Sequence, residues 1–160
     1  MGNKRIEGDF SPVEIRGYTL RSMQTYSDYT VIAMNESHKV IAVGKEVYQY
    51  ANDFERAGMG KIFVYSTFKR NVVAEFLETV TVVKWIFKNI LPGIKYKIFK
   101  PTMAVCIPFD LTAVELKAFQ DVFYAAGGRK VTIFKLEFED NKRELAKNYD
   151  IVIGIIPNQL

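Results

Sequence analysis

The chain has one cysteine, Cys106, in the apolar run Thr102-Met103-Ala104-Val105-Cys106-Ile107, and one histidine, His38, in the polar stretch Asn35-Glu36-Ser37-His38-Lys39. One cysteine makes neither an internal disulfide nor a cysteine metal site. Within an apolar run its thiol is expected to be a buried, inert small hydrophobe. A histidine in a hairpin turn, with no second imidazole to join it, is expected to face solvent. Zinc, Cys–His and Ser–His–Asp chemistries therefore lack their parts, and neither a metal nor a cofactor is expected. Among the carboxylates, Glu115 has the most specific context, Thr112-Ala113-Val114-Glu115. That spacing makes a capping box, in which the threonine hydroxyl and the glutamate each accept a bond from the other's backbone N–H at a helix start. The one local excess of cations is Lys95, Lys97 and Lys100, interleaved with Ile94, Tyr96, Ile98 and Phe99.

Those residues need a scaffold, and 160 residues are enough for one domain with a sizeable core. The apolar and charged fractions, 49% and 25%, are those of a globular chain and speak against disorder. No stretch reaches the roughly 18 apolar residues of a membrane span. The start, Met1 to Glu7, has no apolar core or cleavage site of a signal peptide, so a cytoplasmic location is expected. Ile6 stands where a myristoylation pattern wants serine or threonine. A net charge of +4, with acidic residues interleaved nearly throughout, does not make a nucleic-acid binder.

Residues 17–43 read as strands. Residues 19–23 alternate, residues 29–34 are rich in β-branched and aromatic side chains, and residues 39–43 pair back across the polar turn at 35–38. Residues 45–51 suit a short helix and residues 62–65 a short strand. The longest element starts at Asn71 as N-cap and stops before Pro92, with Val72, Phe76, Val80, Val83, Phe87 and Ile90 on one stripe. Residues 103–107 form a strand buried on both faces. Residues 112–126 form a helix with Val114, Ala118, Val122 and 124–126 inward, stopped by Gly127-Gly128. A strand at 131–136, a charged helix at 139–148 and an apolar strand at 151–156 follow. Strands alternating with amphipathic helices define an α/β fold with parallel pairs, and the opening hairpin makes its mixed sheet. We expect a single domain over 1–160, with 1–16 as a flexible N-terminal segment.

The segment from Pro101 to Ala118, with Val105-Cys106-Ile107-Pro108 and then Thr112-Ala113-Val114-Glu115-Leu116-Lys117-Ala118, resembles MreB, the bacterial actin-like rod-shape family. There an apolar strand ends V-C-V-P and is followed by T-x-V-E-R-R-A. Ala125-Ala126-Gly127-Gly128-Arg129-Lys130-Val131 is similar to the family's A-G-A-R-x-V. Phe68-Lys69-Arg70-Asn71-Val72-Val73-Ala74-Glu75-Phe76 is similar to L-K-D-G-V-I-A-D-Y. Residues 29–34 and 39–46 resemble S-V-V-A-I and K-V-L-A-V-G-x-E. The likeness is collinear from about residue 17 to 134. It implies an actin-like, ribonuclease H-like half domain with flanking helices.

The resemblance also implies what to look for in the site. Actin-like ATPases grip phosphates between two glycine-rich hairpins, the first being D-x-G-T. Here Gly8-Asp9-Phe10-Ser11-Pro12 offers Asp9 as a remnant, but no glycine follows it and Pro12 removes an N–H. Glu115 falls on the glutamate that orients the attacking water, and Glu75 on the A-D-Y aspartate. The capping box and a solvated helix face are the competing readings. Ile98-Phe99 before Lys100-Pro101 falls on an apolar pair that dips into the membrane, with Lys95, Lys97 and Lys100 as partners for anionic headgroups. The competing reading is an edge strand of period two.

The reading implied for the whole is a non-enzymatic, MreB-like interaction or scaffold domain at the cytoplasmic membrane face. Its partner is expected to be a second copy or a cytoskeletal protein, and the strand at 151–156 is expected to add to the sheet. Two alternatives stay open. One is an ATPase half completed by a second copy or partner chain, with Asp9 and Glu115 at the metal and the water. The other is an adaptor akin to the actin-like chaperones of microcompartments.

Overall fold

The computed structural model describes residues 13–49, 60–69, 71–90 and 100–157. Ten strands and three longer helices fall within them. The main sheet has five strands in the order β2-β1-β10-β8-β9. They are β1 Glu14–Tyr18, β2 Thr25–Tyr29, β8 Thr102–Cys106, β9 Lys130–Phe134 and β10 Ile151–Ile156. β10 runs parallel to β8, and β8 parallel to β9, while β1 is antiparallel to both β2 and β10. A smaller antiparallel sheet is ordered β4-β3-β5, from β4 Val40–Val43, β3 Val31–Asn35 and β5 Ile62–Ser66. β6 Phe68–Lys69 and β7 Val72–Val73 form a hairpin.

Strand alternation sorts the main sheet into two faces. Met103, Val105, Ile151, Ile153 and Ile155 join the larger core with α1 Phe76–Ile90 and α2 Ala113–Ala125, including Val83, Ile86, Phe87, Phe119, Val122 and Phe123. Ala104, Cys106 and Val152 face the other way, toward Phe138 and Ala146 of α3 (Phe138–Leu145) and its C-cap. Because β8 and β10 are covered on both sides they are apolar at nearly every position, which is the pattern of a doubly buried parallel strand. Burial pushes the Cys106 thiol up to about 11, so it stays protonated and unreactive as expected.

A polar seam joins the two sheets. Thr30, between β2 and β3, exchanges bonds with the backbone of Val13, and its carbonyl accepts from Thr67 N at 2.9 Å. The Thr67 carbonyl accepts from the N–H groups of Ala74 and Glu75 at 3.0 Å, and from the Thr79 hydroxyl at 3.3 Å. The buried Asp28 carboxylate accepts from the N–H groups of Tyr29 and Lys45 and from the Tyr26 hydroxyl, at 2.8, 2.7 and 3.1 Å. It thereby ends β2 and starts the helical turn over residues 45–49. Gly44, at φ +66°, has no room for a Cβ beside that carboxylate.

Four expectations need correction. Residues 14–16, taken with a flexible segment, begin β1, and Ile15, together with Val13 just before the strand, is buried. Residues 19–23 are the β1–β2 turn and not a strand. There the Thr19 hydroxyl and carbonyl accept from Ser22 N and Met23 N, a local alternative to the ladder. Asn71 is a hairpin residue at φ +66° and not an N-cap; Val72 lies in β7, and Phe76 opens α1 exposed. On α2 the buried side is Phe119, Val122 and Phe123, while Val114 and Tyr124 face out.

Candidate functional site

In an open α/β sheet a ligand meets the carboxyl ends of the parallel strands. β8 ends there at Cys106, and residues 107–112 carry the chain into α2. Beside the start of α2 lies an open concavity lined by Lys69, Val72, Val73, Ala74 and Glu115. The β6–β7 hairpin supplies the first three of these, and Ala74, just past it, donates its N–H to the Thr67 carbonyl. Glu115 is committed to its own helix: its Oε1 accepts from Thr112 N at 2.8 Å, and Thr112 Oγ1 accepts from Glu115 N at 3.2 Å. This is the capping box read from the sequence. Lys69 is exposed at the rim, and Glu75 is exposed with its carbonyl accepting from Thr79 Oγ1 at 2.6 Å. Lys135 pairs with Asp110 at the same end of the sheet.

The sequence-predicted residues are thus spread over two ends of the molecule. Glu115 and Glu75 flank the carboxyl end. Lys100, exposed, lies two residues before β8, at the opposite end. Asp9, Lys95, Lys97, Ile98 and Phe99 lie outside the described residues. His38 is exposed in the β3–β4 turn at φ +61°. Among the described residues no three His, Cys, Asp or Glu side chains converge as a metal site, and no helix is long and apolar enough to cross a membrane.

Two perturbed phenols escaped the sequence reading. Burial and the Asp28 carboxylate push Tyr26 up to about 12, and burial with its hydrogen bond to Glu78 pushes Tyr65 well above the usual phenol range. Both are partly buried tyrosines holding a carboxylate near the larger core, and no spacing in the sequence pairs Tyr65 with Glu78.

A five-stranded mixed sheet with α1 and α2 on one face and α3 on the other defines an actin-like α/β half domain. Two structures of MreB5 from Spiroplasma citri share that fold. One, described as bound to ADP, superposes with a TM-score of 0.59 at 21% identity over 79% of this chain and 36% of the other. The second, described as bound to AMPPNP, gives 0.59 at 18% identity over 78% and 35%. The MreB/Mbl protein family model matches residues 13–138. The chain belongs to the MreB/Mbl family. It is 30% identical over 103 residues to the cell shape-determining protein Mbl of Bacillus subtilis and 29% identical to that of Bacillus cereus. Each match takes in 64% of this chain and 29% of the relative, so the chain spans under a third of the length of these relatives. The family match ends at Phe138, so nearly all of α3 and the whole of β10, the middle strand of the sheet, lie beyond it.

Proposed function

We propose that this chain is a non-enzymatic interaction and scaffold module of the MreB/Mbl family, serving cell shape from the cytoplasmic face of the membrane. The observation that carries the reading is the carboxyl end of the parallel strands. The chain leaves β10 into Pro157 and β8 through Ile107 into Pro108, and leaves β9 into Lys135. A phosphate-binding turn needs successive backbone N–H groups freed by glycine, and proline has none to give. Glu115 is already engaged as a cap. What the fold retains is surface, and the partner that suits it is a second copy of the chain or a cytoskeletal relative, with Ile98, Phe99 and the lysines 95, 97 and 100 as membrane contacts. Thermal melting with increasing Mg-ATP, run beside light scattering, tests this. No rise in melting temperature is expected.

A second reading has one observation in its favour: Lys69 and Glu115 line one concavity at the end of the sheet where nucleotide would bind, and the solved relatives are described with ADP and AMPPNP. On that reading the chain is an ATP-binding half completed by a second copy or a partner. A stabilisation of about 2.7 kcal/mol at 100 times Kd would overturn the first reading and favour this one.

A further inference from the structure

β9 ends the main sheet on one side, so one of its edges has no neighbouring strand. Which backbone groups lie on that edge follows from the ladder. Ile107 N donates to the Phe134 carbonyl, and the paired positions run from Thr102 with Lys130 to Cys106 with Phe134. Residues 130, 132 and 134 therefore bond to β8, and the N–H and C=O groups of Val131 and Ile133 point outward. There the Val131 N–H donates to the Tyr124 hydroxyl of α2 at 3.2 Å. The outward groups of Ile133 have no partner among the described residues. Tyr124 is itself 45% exposed, so a surface phenol is all that stands at this edge. The opposite edge strand, β2, has the turn over 45–49 laid against it. Lys45 N donates to Asp28, Lys45 Nζ to Ser27 Oγ, and the Tyr48 ring meets that of Tyr29 edge-on at 6.1 Å.

A bare edge invites a strand, and the charges around it decide which. Arg129 and Lys130 at the start of β9, and Lys100 beside them, are exposed, and none of the three is ion-paired among the described residues. The Arg129 Nε–H donates to the Lys100 carbonyl, which holds the guanidinium at that corner. At the far end Lys135 is engaged by Asp110. A second copy adding its own β9 antiparallel would bring cation against cation. With Val131 opposite Ile133, Arg129 approaches Lys135; with Val131 opposite itself, the two Lys130 side chains are diagonal neighbours. Like charges across a strand pair destabilise it, whereas opposite charges support it.

We propose that β9 takes an extended acidic segment of a protein partner as a further strand of the sheet. Val131 and Ile133 exchange backbone hydrogen bonds with it, and Lys100, Arg129 and Lys130 receive its carboxylates. The partner's carbonyl displaces the Tyr124 hydroxyl from Val131 N. Strand addition draws its affinity from main-chain bonds and its specificity from alternate side chains. Ile133, only partly buried against the larger core, leaves apolar surface for one of those side chains. The proposal rests on the interaction-module part of the reading above and supplies the chemistry of the partner.

The test uses the full chain, isotope-labelled for amide exchange by NMR, and two end-blocked hexapeptides. One alternates glutamate with valine, the other lysine with valine. The glutamate peptide is expected to bind about tenfold more tightly at low salt, the gap narrowing as salt is raised. At saturation the Ile133 amide should exchange with solvent about tenfold more slowly or better, while the Thr132 amide, already bonded to β8, changes little. Tyr124→Phe removes the hydroxyl that competes for Val131 N and should tighten binding about two- to threefold. Arg129→Glu with Lys130→Glu should transfer the preference to the lysine peptide, with thermal melting unchanged because both side chains are exposed. Equal binding of the two peptides, weaker binding by Tyr124→Phe, or protection that leaves Ile133 untouched would each overturn the edge contact. A dimer mass by light scattering with no peptide binding would overturn it and leave the interaction-module reading standing. Stabilisation by Mg-ATP with no peptide binding would overturn both.

Discussion

Gly154 and Gly17 are both bare for want of room, but their neighbours differ in how far they can give. A Cβ on Gly154 would run into the Cβ and ring of Phe138, which are fixed by the backbone of α3 and buried beneath it. A Cβ on Gly17 would meet mainly the terminal methyl of Ile90, the far end of a flexible side chain. Overpacking against a fixed group costs about 1–3 kcal/mol, whereas swinging one terminal methyl aside costs about 0.5–1.5 kcal/mol. Gly154→Ala should therefore lower the urea midpoint clearly more than Gly17→Ala; equal losses would show that α3 yields as easily as Ile90. Neither constraint is legible in the sequence, because both partners come from helices distant along the chain. Cys106 and His38 were legible, since an apolar run and a polar turn report burial from neighbours in sequence. Asp28 was not, because two of its three donors, Tyr26 and Tyr29, look like ordinary strand residues and the third is a backbone N–H supplied from residue 45.

Among the elements, α2 shows local chemistry at its most readable. Thr112 and Glu115 specify its start and Gly127 its end, at φ +119°, with Gly128 N donating to the Phe123 carbonyl. Thr112→Ala should cost about 1 kcal/mol in thermal or urea melts. Glu115→Gln should stay within about 0.5 kcal/mol of the parent, because an amide oxygen still accepts from the N-cap N–H. A loss on Glu115→Gln as large as on Thr112→Ala would mean that the charge, and not the cap, is what the site uses. The start of α1 was misread because spacings of three and four from Val72 onward mimic a helical stripe. The β-branched pair Val72-Val73 instead takes up the hairpin with Phe68-Lys69, and the Thr67 carbonyl collects the N–H groups of Ala74 and Glu75 before the helix begins. On α2 the inward stripe was placed one step off. It centres on Phe119, Val122 and Phe123, and Val114, at 80% exposure, is left in solvent beside the concavity.

On the scale of the molecule, the alternation of strands and helices gave the class and the mixed sheet, but not the strand order. Strand order depends on pairings between distant segments, and no local pattern carries it. β10 was expected to add to the sheet; it stands in the middle, with β1 on one side and β8 on the other, and those two strands do not pair. A chain cut after Phe138 would keep nearly the whole family match but lose that strand and the cover over Cys106 and Val152. It is expected to show no cooperative unfolding by near-ultraviolet circular dichroism, whereas the full chain melts in a single transition. A cooperative melt of the shortened chain would mean that β1 and β8 can close on each other. The placement of β10 also bears on how the protein is born. Until Ile156 is made, the β1–β2 hairpin and the β8–α2–β9 unit are two pieces whose bare strand edges face one another. At about 5–20 residues per second, the ribosome takes roughly one to four seconds to pass from Phe134 to Ile156. During that interval the nascent chain offers two unpaired edges to any passing strand, so its risk of aggregation is set by the pace of translation across α3.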